Sequence, residues 1–193
     1  MEGWVPEPTK RVFFVSAETA TDRAAATDFR TRNFPPGPVT PLTATVIVID
    51  GTPTANPGPL RELVLPIAQA IRGGVYGQTV LFVSSAMDGV GDYLQDLAFA
   101  NDIGLYWSEN PDDLESARPV GDLSPTERST LELLRDVGGR ATASDLAEHA
   151  GIEATAAGNR LVNLVRKGYV YRWERPRREG DIFVDPRIAN NAT

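Results

Sequence analysis

The stretch EATAAGNRLVNLVRKGYVYRWERPRREGDIFVDPR, residues 153–187, combines one helical pattern with two strand patterns. Its apolar residues first recur at helical spacing, and this pattern ends in the basic stop RKG at residues 166–168. Two short runs typical of β-strands follow at residues 169–175 and 181–187, and the turn PRREG separates them. The stretch therefore predicts a helix that leads into a β-hairpin.

Two further helices are expected immediately before this stretch. The segment at residues 123–139 begins with Ser124 as an N-cap and has Glu127 three positions later. This spacing is a capping box, in which the two side chains satisfy amide donors that the helix leaves unpaired. The segment at residues 141–151 repeats the pattern from Thr142 onward. Three helices followed by a β-hairpin form a winged helix, which we predict for this part of the chain.

Upstream of these helices, short apolar runs alternate with segments of helical periodicity. Such alternation predicts an α/β fold with a small, mainly parallel sheet and right-handed crossovers. Because proline removes a backbone donor, Pro66 predicts either a kink in its helix or a later helix start. The predicted strands are residues 11–17, 45–50, 79–85 and 104–108, and the predicted helices are residues 19–29, 59–74, 88–104 and a short final one at 110–118.

We expect two domains, an acidic α/β sensor or interaction domain at residues 1–119 and a winged helix domain at residues 120–193. The first 119 residues carry 15 acidic and 8 basic side chains, which accounts for the whole formal net charge of −7. The remaining residues are neutral overall. The acidic character of the chain therefore does not restrict what the second domain binds.

The composition argues against several classes of site and location. The chain has no Cys, which excludes disulfides, thiolate catalysis and cysteine-based metal sites. With His149 as the single histidine, histidine metal sites and Ser-His-Asp catalysis are not expected. No apolar run reaches the roughly 18 residues of a membrane span, and the N-terminus lacks a signal-peptide pattern. We expect a cytoplasmic protein without a cofactor, a metal or a membrane partner.

Two segments contain residue types found in catalytic sites, but neither pattern indicates catalysis. Asp112 and Asp113 are adjacent acids at a predicted helix start, where carboxylates commonly interact with the helix dipole. The turn DGVGDY at residues 88–93 lacks both the GxGxxG spacing and the Lys of a phosphate-binding loop. We therefore expect a protein that is not an enzyme.

Residues 123–187 resemble a winged helix-turn-helix domain of the MarR type. The resemblance rests on the helix caps, the short turn at Gly151, the stretch NRLVNLVRKGYV at residues 159–170, and the hairpin. In such domains the third helix enters the DNA major groove and the wing reaches the backbone or the minor groove. The resemblance implies groove contacts by Thr155, Ala156, Gly158, Asn159, Arg160 and Asn163, and phosphate contacts in the wing by Arg172, Arg175, Arg177 and Arg178.

The region from residue 45 onward resembles a STAS domain in its order of strands and helices. Some STAS domains carry a phosphorylated Ser where this chain has TANPGPL at residues 54–60, so no phospho-switch of that kind is implied. A second resemblance, to receiver domains, implies a phosphoacceptor at Asp50 at the end of a strand. Ser84 or Ser85 would then end the next strand.

These features predict a cytoplasmic transcriptional regulator whose winged helix binds double-stranded DNA. We expect a homodimer, because one winged helix reads only a half-site. The α/β domain would mediate dimerisation or signal input, including contact with a protein partner. One alternative is a non-enzymatic adaptor whose winged helix docks to protein, since the third helix carries many small side chains. Another is an atypical receiver-type response regulator that uses Asp50.

Overall fold

This computed structural model describes residues 8–35, 37, 42–49, 57–175 and 179–190. In the first part of the chain, the described strands form one five-stranded sheet. The first four strands are parallel neighbours in sequence order, and the fifth pairs antiparallel with the fourth. The predicted α/β class and mainly parallel sheet are confirmed. The strands are β1 (Thr9–Val15), β2 (Thr43–Ile49), β3 (Thr79–Ser84), β4 (Leu105–Ser108) and β5 (Arg118–Val120).

Four helices connect the parallel strands: α1 (Ala17–Thr21), α2 (Arg23–Asn33), α3 (Pro57–Arg72) and α4 (Val90–Ala100). Right-handed crossovers between strands in strictly sequential order place every connecting helix on the same face of a sheet. The packing is consistent with this arrangement. Side chains of all four helices form one buried cluster with Ile47, Leu81 and Leu105, which lie on one side of the sheet. The other side of the sheet is left for the rest of the chain.

This strand order does not match a receiver domain. The doubly wound receiver order is 2-1-3-4-5, which distributes the helices over both faces of the sheet. Here the order is β1-β2-β3-β4-β5, so the receiver-like alternative for the fold is wrong. The resemblance to STAS domains stays a prediction.

Two local expectations differ from the structure. Helix α3 begins at Pro57 and continues through Pro66 to Arg72, so the later helix start is wrong, whereas the kink stays a prediction. The short final helix predicted at residues 110–118 is wrong: turns occupy this segment, and β5 follows it. Local hydrogen bonds explain the turns. The Ser108 hydroxyl donates to the Asn110 carbonyl at 2.7 Å, and the Ser116 amide donates to the Asp113 carboxylate at 3.1 Å. Such side-chain bonds to the backbone compete with helix formation.

The second part of the chain is the predicted winged helix. Both predicted capping boxes form, at Ser124 with Glu127 and at Thr142 with Asp145. A short strand that the sequence patterns had not indicated completes a three-stranded antiparallel sheet in the order β6-β8-β7. The elements are α5 (Pro125–Asp136), β6 (Arg140–Thr142), α6 (Ala143–Ala150), α7 (Ala154–Lys167), β7 (Tyr171–Trp173), β8 (Ile182–Val184) and the 3-10 helix η1 (Pro186–Asn190).

The winged helix packs on the face of the five-stranded sheet that α1 to α4 leave uncovered. Side chains of alternate sheet residues, including Val46, Phe82 and Tyr106, form one continuous apolar cluster with Leu134 of α5 and Leu161 of α7. Alternate residues of a strand point to opposite faces, so the same strands serve both layers. The structure is thus a sheet with its own helices on one face and the winged helix on the other.

Among the helices that the structure describes, none has the combined length and apolarity needed to cross a membrane.

Candidate nucleic-acid interface

Helix α7 presents one polar face to solvent. The helix ends at Gly168, whose left-handed backbone (φ 91°) favours glycine. Its opposite side, at Ala157, Leu161 and Leu164, is fully buried in the shared core. Four exposed residues follow one another at intervals of four, four and three positions, so they share one face of the helix. They are Thr155, Asn159, Asn163 and Arg166.

This face contains three of the residues predicted to contact the major groove. Arg160, also predicted, is half-buried beside it. Gly158 points elsewhere, since a Cβ added to it would lie 3.5 Å from the Cβ of Ala143 in α6. Arg166 was missing from the predicted set, although its spacing of three from Asn163 places it on the face. Within the described part of the chain, neither Arg160 nor Arg166 has a hydrogen-bond or ion-pair partner.

The turn before α7 carries acidic rather than basic side chains. Glu153 is the N-cap residue of α7, but its exposed carboxylate caps none of the helix amides. Glu148, near the end of α6, is also exposed. These carboxylates repel phosphate, so the start of α7 does not favour a polyanion. The cations that do favour one are Arg160 in the middle of the helix and Arg166 near its C-terminal end.

The first wing arginine, Arg172, is engaged within the protein. Its Nε donates to the Asp181 carboxylate at 2.7 Å, and its Nη2 lies 2.6 Å from the same oxygen. Its backbone amide donates to Oε1 of Gln78 at 3.0 Å, so the residue preceding β3 holds the outer edge of β7. Arg172 therefore joins the two strands of the hairpin, and the α/β unit holds the base of the wing.

Arg175 is folded back across the hairpin turn. Its Nε donates to the Gly180 carbonyl at 2.8 Å, and its Nη2 donates to the Glu179 carbonyl at 2.6 Å. The Glu179 carboxylate lies 3.6 Å from Nη1. Only 17% of the Arg175 side chain is exposed. These contacts fit a structural role, because they satisfy carbonyl groups of the turn.

Three of the predicted site residues fall outside the described part of the chain. These are the wing arginines Arg177 and Arg178, and Asp50, the phosphoacceptor of the receiver-type alternative. Their roles stay predictions. Ser84 and Ser85, which that alternative also uses, are both buried.

An ion pair connects the two ends of the winged helix bundle. The Lys167 ammonium donates to the Glu127 carboxylate at 2.9 Å and to the Asp122 carbonyl at 2.7 Å. Burial raises the pKa of the Glu127 carboxyl, but hydrogen bonds from Lys167 and from Ser124 outweigh it, so the pKa is lowered overall. These bonds tie the C-terminal end of α7 to the start of α5.

Buried polar groups connect α7 and β8 to the sheet beneath them. The Tyr106 hydroxyl donates to the Tyr169 carbonyl at 2.9 Å, and the Tyr169 hydroxyl donates to the Val120 carbonyl at 2.8 Å. Burial raises the pKa of both phenols, so they stay protonated donors. The Arg187 guanidinium pairs with buried Asp185 and lies 5.4 Å from the centroid of the Tyr106 ring. The sheet thereby sets the position of α7.

A cavity of about 360 Å³ opens beside the first turn of α4 and the ends of β3 and β4. Acidic residues Asp88, Asp92 and Glu109 contribute to its lining. The Trp107 ring beside it is already in contact with the Arg118 guanidinium, whose carbon lies 4.5 Å from the ring centroid. Among the described residues, no group of three His, Asp or Glu side chains is placed to hold a metal ion.

Comparison with known proteins identifies the part of the chain that carries the polar face of α7. A family model described as the MarR family matches residues 121–180, a span that includes α5, α6, α7 and β7. No curated protein and no solved structure matches the chain significantly. Three helices, a wing and this match lead to one conclusion: residues 121–180 form a MarR-type winged helix-turn-helix domain.

Proposed function

We propose that this protein is a transcriptional regulator that binds double-stranded DNA through α7 and the wing. The observation that carries the proposal is the polar face of α7 with Arg160 beside it, in a domain that the MarR family model matches. Among the described residues, Arg160 and Arg166 have no hydrogen-bond or ion-pair partner. Members of this family are regulators rather than enzymes. We accordingly propose a non-enzymatic role in the cytoplasm.

Within this proposal, different residues of α7 have different tasks. The amides of Asn159 and Asn163 can each donate to and accept from adenine in the major groove, and Thr155 lies on the same face. Arg160 and Arg166 supply cations for phosphate or guanine.

Arg177 and Arg178 remain proposed phosphate contacts at the wing tip. Arg172 and Arg175 act mainly by holding the hairpin in shape, since their guanidinium groups are already bonded.

The α/β unit has a supporting role in the proposal. Residues 1–119 would form an acidic unit that mediates dimerisation or receives a signal, and residues 120–193 would bind DNA. The contact between Gln78 and the amide of Arg172 supports such a link, because it joins the sheet directly to the wing.

The test is a salt series of binding to random duplex DNA. We expect the Arg160→Ala/Arg166→Ala variant to bind more weakly than the wild type, with its slope of log K against log salt flattened by about 0.9 for each lost phosphate contact. The matched control is Arg23→Ala/Arg32→Ala, which removes the same charge from exposed positions of α2 on the far face of the sheet. The control should keep the wild-type slope.

Two further measurements complete the test. Arg175→Ala should reduce the stability of the hairpin while leaving most of the salt slope, because its guanidinium bonds to backbone carbonyls of the turn. If the wild type binds no duplex at low salt, the regulator proposal is wrong. The acidic side chains Glu148 and Glu153 would then favour the adaptor alternative, in which the winged helix docks to a basic protein surface.

A further inference from the structure

Strand β1 forms one edge of the five-stranded sheet. It pairs with β2 along all seven of its residues, and on its other side no described strand pairs with it. Two apolar side chains of this strand are exposed, Val12 at 38% and Phe14 at 71%. Val12 and Phe14 lie two positions apart, so they point to the same face of the sheet. An edge strand with exposed apolar side chains is a template for pairing with another strand.

The direction of the backbone hydrogen bonds shows which groups this edge offers. The Thr9 amide donates inward to the Leu42 carbonyl at 2.8 Å. In a parallel ladder, alternate residues direct both their N–H and C=O groups to the same neighbour. The backbone groups of Arg11, Phe13 and Val15 therefore face β2, whereas those of Val12 and Phe14 face away from the sheet. The residues with exposed apolar side chains are thus also the residues with outward backbone donors and acceptors.

We propose that β1 is a homodimer interface, in which the β1 strands of two copies pair antiparallel with Phe13 opposite Phe13 of the second copy. In this register Val12 lies opposite Phe14 of the second copy, and Phe14 opposite Val12. Both are hydrogen-bonded pairs, since their backbone groups face outward. Two continuous five-stranded sheets would join into one across a two-fold axis.

The occupant is a second copy because β1 is complementary to itself in this register. Each exposed Phe14 covers an exposed Val12, and aromatic pairs with β-branched residues stabilise neighbouring strands. No cation lies directly opposite another, since Arg11 lies opposite Val15 of the second copy and Lys10 lies opposite Ser16. The strand has no Pro or Gly that would block pairing. The inference rests on the proposed role of the α/β unit in dimerisation, but it does not depend on DNA binding and is tested without DNA.

The first experiment measures the mass of the full chain in solution by light scattering over a range of concentrations. We expect the wild type to reach twice the monomer mass of 20.9 kDa. Phe14→Lys should remain monomeric, because it places a cation diagonally opposite Lys10 of the second copy and removes the aromatic cover. The matched control is Phe99→Lys, which changes an exposed aromatic side chain of α4 (63% exposed). This variant should still dimerise. A monomeric wild type, or a dimeric Phe14→Lys, would overturn the proposal.

The second experiment tests the register and uses the absence of native cysteine. Val12→Cys and Phe14→Cys change exposed side chains, so both variants should fold. In the proposed register a mixture of the two variants places one Cys opposite the other, with Cβ atoms about 5 Å apart, against about 7 Å for diagonal neighbours. Mild oxidation should therefore cross-link the mixture faster than either variant alone. Equal rates, or no cross-linking, would show that β1 does not pair in this way.

Discussion

Gly104 lies where the sheet and the winged helix approach each other most tightly among the glycines that the structure describes. A Cβ at this position would lie 2.4 Å from the Lys167 carbonyl oxygen and 2.6 Å from the Tyr169 ring. Neither neighbour can move freely, because one is backbone and the other is a buried ring. Gly158 is the opposite case, since its nearest neighbour, the Cβ of Ala143, would be in ordinary van der Waals contact at 3.5 Å.

These two glycines therefore predict stability changes of opposite sign. Gly104→Ala should lower the free energy of unfolding by about 1–3 kcal/mol, the usual cost of overpacking a core. Gly158→Ala should raise it by about 0.5–1 kcal/mol, since alanine is the better helix former and space is available. Urea denaturation of the two variants beside the wild type measures both effects. A neutral Gly104→Ala would show that the sheet and the winged helix are not in close contact.

At the scale of elements, the Glu127 carboxylate takes part both in a helix cap and in a contact between two helices. Its carboxylate accepts from the Ser124 amide at 2.9 Å, which completes the capping box of α5. The same oxygen accepts from Lys167 at the end of α7. One carboxylate thus stabilises the start of one helix and fixes its packing against another.

The lowered pKa of Glu127 predicts a pH-dependent contribution to stability. A carboxyl group with a pKa below its ordinary value of 4.5 stabilises the folded state above that pH, and this contribution is lost as the pH falls through the folded pKa. Glu127→Gln should therefore lower the free energy of unfolding at neutral pH by about 1–3 kcal/mol. The difference from the wild type should shrink steadily below about pH 4.5.

Denaturation curves at several pH values measure this effect, with Glu148→Gln as the control. Glu148 is an exposed glutamate of α6, and its replacement should have little effect at any pH. A difference between the wild type and Glu127→Gln that is the same at pH 7 and at pH 3 would contradict the ion-pair interpretation.

At the scale of the whole molecule, the winged helix and the sheet share one apolar core. Phe82 of β3 stacks on Tyr106 of β4 with ring centroids 5.0 Å apart, and both belong to the cluster that includes Leu134 and Leu161. Neither unit can lose this contact without exposing apolar surface of the other. We therefore expect the two units to unfold together.

Truncation of Phe82 tests this cooperativity. Phe82→Ala should destabilise the protein by about 3–5 kcal/mol, as is typical for removal of a buried aromatic ring. Calorimetry should show a single transition that moves to lower temperature, and hydrogen exchange in α7 should accelerate together with exchange in β2. Two transitions, with that of the winged helix unchanged, would instead indicate that the units fold independently.

The sequence by itself determined the features that depend on neighbours in the chain. The capping boxes at Ser124 and Thr142, the apolar periodicity of α7 and the β-branched runs of the sheet depend on spacings of a few residues, and they formed as predicted. The resemblance to a MarR-type domain rested on the same local spacings, and the family model confirms it for residues 121–180. Local features can be predicted from the sequence because the hydrogen bonds and periodicities that produce them connect residues close in the chain.

Only the tertiary structure decided how the sheet, α7 and the wing residues Arg172 and Arg175 are placed. The sequential strand order leaves one sheet face uncovered, and the winged helix fills it through contacts such as that of Tyr106 with Tyr169, 63 residues later. The arginines of the wing look alike in the sequence, yet Arg172 and Arg175 are bonded to Asp181 and to the turn. Spacing cannot reveal this, because whether a cation is paired or available depends on the atoms that folding brings to it.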